Sequence, residues 1–215
     1  VGLLWGVQHT QYEVGLVPQI TAWLLAAMVV AGAVFGLTGK LFADGTHALS
    51  GVMKKHVAYA PLRPLLGGAV IAAVVMWGSF DRYIGLGIPV MVEAFAHPLA
   101  PTDFLGKMVF TIASLGSGFK GGEVTPLFYI GATLGNALAP WLDVPFALLA
   151  AVGFVAVFAG AANTPIASTL MAMELFGAEI GVFAALACVM SYVCSGHSGI
   201  YRAQRVAHRK TNTPS

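Results

Sequence analysis

Apolar segments follow one another along almost the whole chain, and only short polar stretches separate them. Charged residues occupy 9% of the 215 positions, whereas a soluble domain usually has about 25%. One water-soluble core could not hide so many apolar segments, so we expect the chain to lie in a lipid bilayer. The sequence therefore predicts an all-α polytopic membrane protein.

The apolar segments differ in length. Residues 17–41 are long enough for one tilted spanning helix, which we expect to continue to about residue 53. Residues 84–96 and 104–115 are too short to span the membrane. Short segments interrupted by glycine and proline are typical of half-helices that meet around a transport site. The remaining segments predict helices at residues 64–77, 127–142, 144–162, 163–176 and 178–194.

Local signals mark some helix contacts and one helix start. Asn163 or Thr164 is suited to cap the helix that Pro165 would open. Glycines four residues apart favour close packing against another helix. Two such pairs occur, Gly32 with Gly36 and Gly131 with Gly135.

Basic residues cluster at residues 54–63 and again at residues 202–210, in a predicted terminal helix. Because cytoplasmic loops carry an excess of Lys and Arg, we expect both clusters, and with them the C-terminus, in the cytoplasm. The net charge of +2 is too small to indicate a nucleic-acid partner. The six histidines and two cysteines show no metal-ligand spacing, so we expect no metal site and no cofactor.

A glycine-rich stretch opens one apolar segment in the middle of the chain. Residues 116–126 have the sequence GSGFKGGEVTP, in which the glycines let the backbone turn tightly and approach a ligand. Pro126 suits a first helical turn, where its missing N–H costs nothing. The backbone N–H groups of Glu123 and Val124 should then point, unpaired, into the loop. Such a helix start, with the positive end of its dipole, is suited to bind an anion.

Residues 122–126, Gly-Glu-Val-Thr-Pro, resemble the helix-opening loop of the CLC chloride channel and transporter family. The family pattern is G-x-F-x-P, and here Val124 stands in place of the Phe. Residues 162–174 resemble the family's following helix, and Tyr201 lies in the predicted terminal helix after a glycine-containing turn. The resemblance covers residues 17–210.

The resemblance implies an inverted-repeat architecture with half-helices meeting at mid-membrane, of which only the second repeat is present. It implies a single transmembrane domain over residues 1–215, as a fragment of a longer protein. Residues 1–13 would end a preceding helix and loop, residues 14–194 would form the second repeat, and residues 195–215 would form a cytoplasmic terminal helix and tail. The family's first-half loop of the G-R-E-G-P type, with its gating glutamate, does not occur in this chain.

The resemblance also implies a binding site and an assembly. It assigns the backbone N–H groups of Glu123 and Val124 and the hydroxyl of Tyr201 to a central anion site. It implies a homodimer through helices near residues 164–176 and 179–194. The loop form G-G-E-V-T-P is similar to that of the fluoride/proton antiporter branch, which implies roles in the ion pathway and its selectivity for Gly121, Gly122, Glu123, Thr125, Pro126, Phe128 and Tyr129.

The sequence thus predicts a transporter and not an enzyme, one that exports fluoride across the cell membrane, as in a bacterial inner membrane, in exchange for an entering proton. A chloride channel or chloride/proton antiporter of the same fold is the first alternative. Further alternatives are a purely structural membrane subunit and an intramembrane serine protease that uses Ser117 and His197. Two site residues also have simpler alternatives. Glu123 could complement the helix dipole without any role in transport, and Tyr201 could be an anchor at the membrane interface without binding the anion.

Overall fold

The computed structural model describes residues 14–15, 17–78, 80–196, 199–201 and 204, and this part of the chain is helical without strands. Two short 3-10 turns, Asp81–Tyr83 and Ala178–Ile180, precede α3 and α8. The α-helices are α1 (Ala22–His56), α2 (Leu62–Trp77), α3 (Ile88–Ala96), α4 (Asp103–Gly116), α5 (Val124–Leu142), α6 (Phe146–Ala162), α7 (Pro165–Phe176) and α8 (Gly181–Cys194).

The helix ends follow local chemistry. The side chain of Thr21 caps α1 by accepting a hydrogen bond from the Leu24 N–H at 3.2 Å. Pro165 opens α7 at a position where no N–H is needed. Thr164 occupies the predicted cap position before it, but its side chain makes no capping hydrogen bond. Asn163 was the other predicted cap of this helix, but it adopts a left-handed conformation at φ 58° and ends α6 instead. Asparagine tolerates this conformation better than most residues, which explains its place there.

The most buried element is α6, and α1, α3, α5, α7 and α8 all pack against it. Nearly every residue of α6 is shielded from solvent. A helix that is apolar on all sides can be covered either by other helices or by lipid. The contacts of α6 with other helices, and not its composition alone, place it at the centre of the described bundle.

Both predicted glycine pairs lie at close helix contacts. A Cβ atom on Gly131 or Gly135 would overlap the carbonyl oxygens of Gly153 or Leu149 on α6. A Cβ atom on Gly32 would lie 2.8 Å from the Ala187 carbonyl oxygen on α8. These approaches confirm that the small residues let helix backbones come together.

Some predicted boundaries are wrong. Residues 17–21 precede α1 and are not helical, because the helix begins after the Thr21 cap. The segment at residues 178–194 begins with a 3-10 turn before α8. Tyr201 is not in a helix. The predicted start at residues 1–13 and most of the predicted terminal helix lie outside the described residues.

One described helix, α1, is long and apolar enough by itself to cross a membrane. The other apolar helices are shorter, and α3 has only nine residues. The lengths of α3 and α4 thus match the half-helices predicted for residues 84–96 and 104–115.

Candidate anion site

The first turn of α5 carries backbone donors that the described part of the protein does not use. Glu123 is the residue before the helix, and its carbonyl accepts the first helical bond from the Leu127 N–H at 3.2 Å. In the described part of the chain, the N–H groups of Glu123, Val124 and Thr125 donate to no protein acceptor. Pro126, in the first turn, has no N–H to satisfy. The helix begins three residues earlier than predicted, which places all three donors at its positive end.

A cavity of about 330 Å³ lies beside this helix start. Glu123, Gly121 and Lys120 line this cavity, together with Phe42, Ala43, Thr46 and His47 of α1 and with Leu115, Phe119 and Ile200. The free N–H groups, one carboxylate and one ammonium group are therefore gathered near an opening that can hold small ions.

The segment that carries Tyr201 lies beside the same cavity. Ile200, the neighbour of Tyr201, lines the cavity, and the Tyr201 side chain is partly exposed. Burial, followed by the negative charge of Glu123, raises the pKa of the Tyr201 hydroxyl. The structure therefore brings together Glu123 and the segment that carries Tyr201, although 78 positions separate them in the sequence.

A second cavity, of about 300 Å³, lies on another side of the glycine loop. Phe119, Lys120 and Gly121 line both cavities, while Gly122 and Pro126 line only the second. In the loop, Gly118 has a left-handed conformation at φ 98°. No atom lies within 4 Å of where a Cβ would stand on Gly121 or Gly122. The backbone at these two glycines therefore faces open space, as a close approach of a ligand requires.

The two predicted aromatic residues lie elsewhere. The ring of Phe128 stacks on Phe154 with 4.2 Å between ring centroids. The side chain of Tyr129 is fully buried, and the Lys107 Nζ lies 5.1 Å from its ring centroid. Neither ring lines either of the two cavities. Their roles in the ion pathway remain predictions.

A buried polar network on α4 was not predicted. Asp103 is fully buried, and it accepts hydrogen bonds from Arg82 at 2.7 Å and from the Tyr83 hydroxyl at 3.0 Å. Lys107 is 2% exposed, and its ammonium donates to the carbonyls of Tyr83 and Gly85 at 3.0 and 2.6 Å. These bonds hold the loop before α3 against α4, which leads into the glycine loop. One feature of the sequence could have indicated this network, namely two opposite charges, Asp103 and Lys107, four residues apart in an apolar segment.

Ser117, the residue after α4, uses its hydroxyl in a hydrogen bond to this helix. Its hydroxyl donates to the Ala113 carbonyl at 2.6 Å, and the residue is 5% exposed. His197, the predicted partner in a protease pair, lies outside the described residues. The observed contact of Ser117 is thus a local helix contact of a kind common for serine.

The model of the family described as "Voltage gated chloride channel" matches residues 1–196. The chain belongs to this chloride channel family, the CLC family. Its members are integral membrane proteins, so this chain is part of one too. The resemblance of the loop at residues 122–126 to CLC proteins is confirmed.

Two curated CLC relatives and one solved CLC structure are similar to the chain. A "Chloride/fluoride channel protein" of Pseudomonas syringae pv. tomato is 60% identical, covering 100% of this chain and 49% of the relative. A "Voltage-gated ClC-type chloride channel ClcB" of Salmonella dublin is 29% identical, and the match covers 96% of this chain and 52% of the relative. A crystal structure of "a CLC-type fluoride/proton antiporter" superimposes with a TM-score of 0.88 at 31% identity, and the match covers 93% of this chain and 51% of that structure's chain. The chain thus has the CLC fold and spans about half the length of the curated relatives that it matches.

Proposed function

We propose that the protein is a CLC anion transporter that exports fluoride across the cell membrane in exchange for protons. The observation that carries this proposal is the first turn of α5, where three unused backbone N–H groups lie beside a cavity lined by Glu123. Fluoride is small and strongly hydrated, so it binds where several polar donors can replace its water. The backbone N–H groups of Glu123 and Val124 and the Tyr201 hydroxyl are the donors that we assign to it.

The position of Glu123 supports coupling to protons. A carboxylate and a bound anion about 4 Å apart would repel each other by about 4 kcal/mol at an effective dielectric constant of about 20. Uptake of a proton by the Glu123 carboxylate would remove this repulsion, whereas movement of the charged carboxylate would not involve a proton. The proposal is therefore that Glu123 takes part in coupling the anion to a proton.

The named relatives agree with this function. The 60% identical protein is named for chloride and fluoride, and the superimposed structure is that of a fluoride/proton antiporter. We extend the family's assembly to this protein as well, and propose a homodimer through α7 and α8, a cytoplasmic C-terminus and a second repeat over residues 14–194. The pathway roles of Gly121, Gly122, Thr125 and Pro126 belong to the same proposal.

The test is ion efflux from liposomes that contain the protein expressed from its complete coding sequence. Electrodes selective for fluoride and for chloride would follow efflux while a dye reports the internal pH. We expect fluoride efflux far above chloride efflux, together with proton uptake. With Glu123→Gln, which cannot lose a proton, we expect the ratio of protons to fluoride to fall. Fluoride efflux without any proton uptake in the unaltered protein would contradict the antiporter proposal.

A chloride channel or chloride/proton antiporter is the second candidate. It is supported by the name of the ClcB relative, which shares 29% of its residues with this chain. The same experiment separates the candidates, because chloride efflux equal to or above fluoride efflux would favour chloride. The site on α5 would then keep its role as an anion site with a different ion.

A further inference from the structure

The segment that carries Tyr201 is held at three points. The Ile200 N–H donates to the Ala161 carbonyl at the end of α6 at 2.9 Å. The Asn163 side-chain amide donates to Gln204 at 3.3 Å on an exposed part of the surface. The third contact joins the ring of His47, on α1, to the Gly199 carbonyl at 3.0 Å and is partly buried. His47 is therefore one side chain of α1 that holds this segment.

The contact also determines where the ring carries a proton. A carbonyl oxygen only accepts hydrogen bonds, so the Nε2 atom of His47 must be the donor. This holds for the neutral ring and for the charged ring alike. The bond between His47 and Gly199 therefore needs a donor at this position and does not need a positive charge.

Gly199 also lies close to the end of α6. A Cβ atom on Gly199 would lie 2.7 Å from the Asn163 amide nitrogen and 3.0 Å from the Ala161 carbonyl oxygen. The backbone at Gly199 is thus close to the end of α6 and is also bonded to His47. Tyr201 follows only two residues later, so the position of Gly199 limits where the Tyr201 hydroxyl can stand.

His47 lies in the wall of the cavity that holds the candidate anion site. The residues lining this cavity include His47, Glu123, Lys120 and Ile200. A binding site loses affinity when its donors move by as little as about 0.5 Å. A residue that fixes one donor from within the cavity wall can therefore control anion affinity without contacting the anion.

We propose that His47 is a positioning residue for the anion site. Its Nε2–H holds the Gly199 carbonyl and so keeps the Tyr201 hydroxyl in place beside Glu123 and the free N–H groups of α5. This proposal rests on the proposed function, because it assumes that Tyr201 donates to the transported anion. The histidine acts through Tyr201 and is not itself an anion ligand.

The experiment compares variants of the protein expressed from its complete coding sequence and reconstituted in liposomes. His47→Phe keeps a ring in the cavity wall but removes the donor, whereas His47→Gln keeps an N–H donor. His56→Phe is the matched control, because His56 lies on the same helix and its ring contacts only the Val52 carbonyl at 2.9 Å, in an exposed position. The measured quantities are the fluoride concentration that gives half-maximal efflux and the maximal rate.

We expect His47→Phe to raise the half-saturating fluoride concentration about three- to tenfold, the effect of one lost hydrogen bond. His47→Gln should stay within about twofold of the unaltered protein, and His56→Phe should not change it. In a Tyr201→Phe background, His47→Phe should add no further loss, because both changes remove the same donor from the site. This lack of additivity is a result that general destabilisation by His47→Phe would not produce.

Three results would overturn the proposal. One is a folded His47→Phe protein with unchanged half-saturating concentration, and another is an equal loss with His47→Phe whether or not Tyr201 is present. The third is a His47→Gln variant that loses as much fluoride affinity as Tyr201→Phe does. This third result would overturn the proposal even if His47→Phe does not fold. Transport of chloride in place of fluoride would contradict the proposed substrate alone, and the same comparison of half-saturating concentrations, made with chloride, would still test His47.

Discussion

At the scale of single residues, the two glycines before Glu123 differ from the glycines at helix contacts. A side chain at Gly131 or Gly153 would meet the backbone of another helix, whereas a side chain at Gly121 or Gly122 would meet nothing within 4 Å. Folding therefore does not explain why these two positions lack side chains. Access to the N–H groups of α5 does explain it, because a side chain there would occupy the space beside the donors.

Gly122→Leu tests this explanation. We expect the variant to fold normally, since no atom lies within 4 Å of where a Cβ would stand on Gly122, and to lose at least about 90% of fluoride efflux, a change of about 1.4 kcal/mol or more. Efflux from liposomes and an unfolding temperature in detergent would be measured together. Gly51→Leu is the control, because Gly51, on α1, also has no atom within 4 Å of where a Cβ would stand but lines neither of the two cavities. Unchanged efflux with Gly122→Leu would favour a purely structural subunit.

The protonation of Tyr201 leads to a prediction on pH. Tyrosine has an ordinary pKa of about 10 and is neutral below it. Burial, followed by Glu123, raises the pKa of Tyr201, so its O–H donor is retained at every pH up to about 9. We expect Tyr201→Phe to raise the half-saturating fluoride concentration about tenfold or more at both pH 6 and about pH 9. Efflux measured at both values checks this, and an effect that vanishes at the higher pH would contradict it.

At the scale of elements, the contact between α5 and α6 sets the direction in which the helix start points. Gly131 and Gly135 bring the two helix backbones together, and α6 is itself enclosed on all sides. The first turn of α5 is therefore fixed by packing that lies one or more turns away. The network of Arg82, Asp103 and Lys107 holds the preceding helix, so both ends of the glycine loop are anchored.

Gly131→Ala measures the contribution of this contact. The added methyl group would overlap a backbone carbonyl on α6, which cannot move aside as a flexible side chain could. We expect a loss of about 2 kcal/mol or more in the free energy of unfolding, seen as a fall of at least about 5 °C in unfolding temperature. Gly51→Ala, in an open position of α1, should leave that temperature unchanged or raise it slightly. Equal temperatures for the two variants would show that the close approach does not stabilise the fold.

At the scale of the whole molecule, the outer faces of α7 and α8 leave large apolar side chains uncovered. Ile166 and Leu170 on α7 and Val182 and Val189 on α8 are all exposed. The two helices pack against each other and against α6, and these four side chains remain uncovered in the single chain. This surface supports the proposed homodimer, in which a second copy would cover it.

Leu170→Trp tests the proposed dimer interface. Leu170 is 61% exposed in the single chain, and a larger apolar side chain there would interfere with a partner while remaining compatible with lipid. We expect the variant to become mostly monomeric in detergent, as measured by light scattering and by cross-linking in membranes. Val70→Trp on α2 is the control, because Val70 is similarly exposed, at 64%. A Leu170→Trp protein that stays dimeric would contradict this interface.

Much of the fold could be predicted from the sequence, because apolar segments and helix-start signals are local. The limits of α2, α4 and α6 lie within two residues of the predicted ones, and α5 follows the glycine loop as expected, although it begins three residues before the predicted segment. The roles of Asp103, Lys107 and His47 could not be predicted in this way. Their partners are between 20 and 152 positions distant in the chain, and no spacing rule relates residues so far apart.

The sequence by itself determined that this chain forms apolar helices and that one of them begins, after glycines, with unused backbone donors. Both properties depend only on neighbouring residues, since hydrogen bonding within a helix and the missing N–H of proline are local effects. Only the tertiary structure decided which groups share the space beside that helix start. Glu123, His47 and the Tyr201 segment meet there because glycine contacts and a fully enclosed α6 fix how the helices pack. Packing of this kind depends on the shapes of distant surfaces and not on the order of residues along the chain.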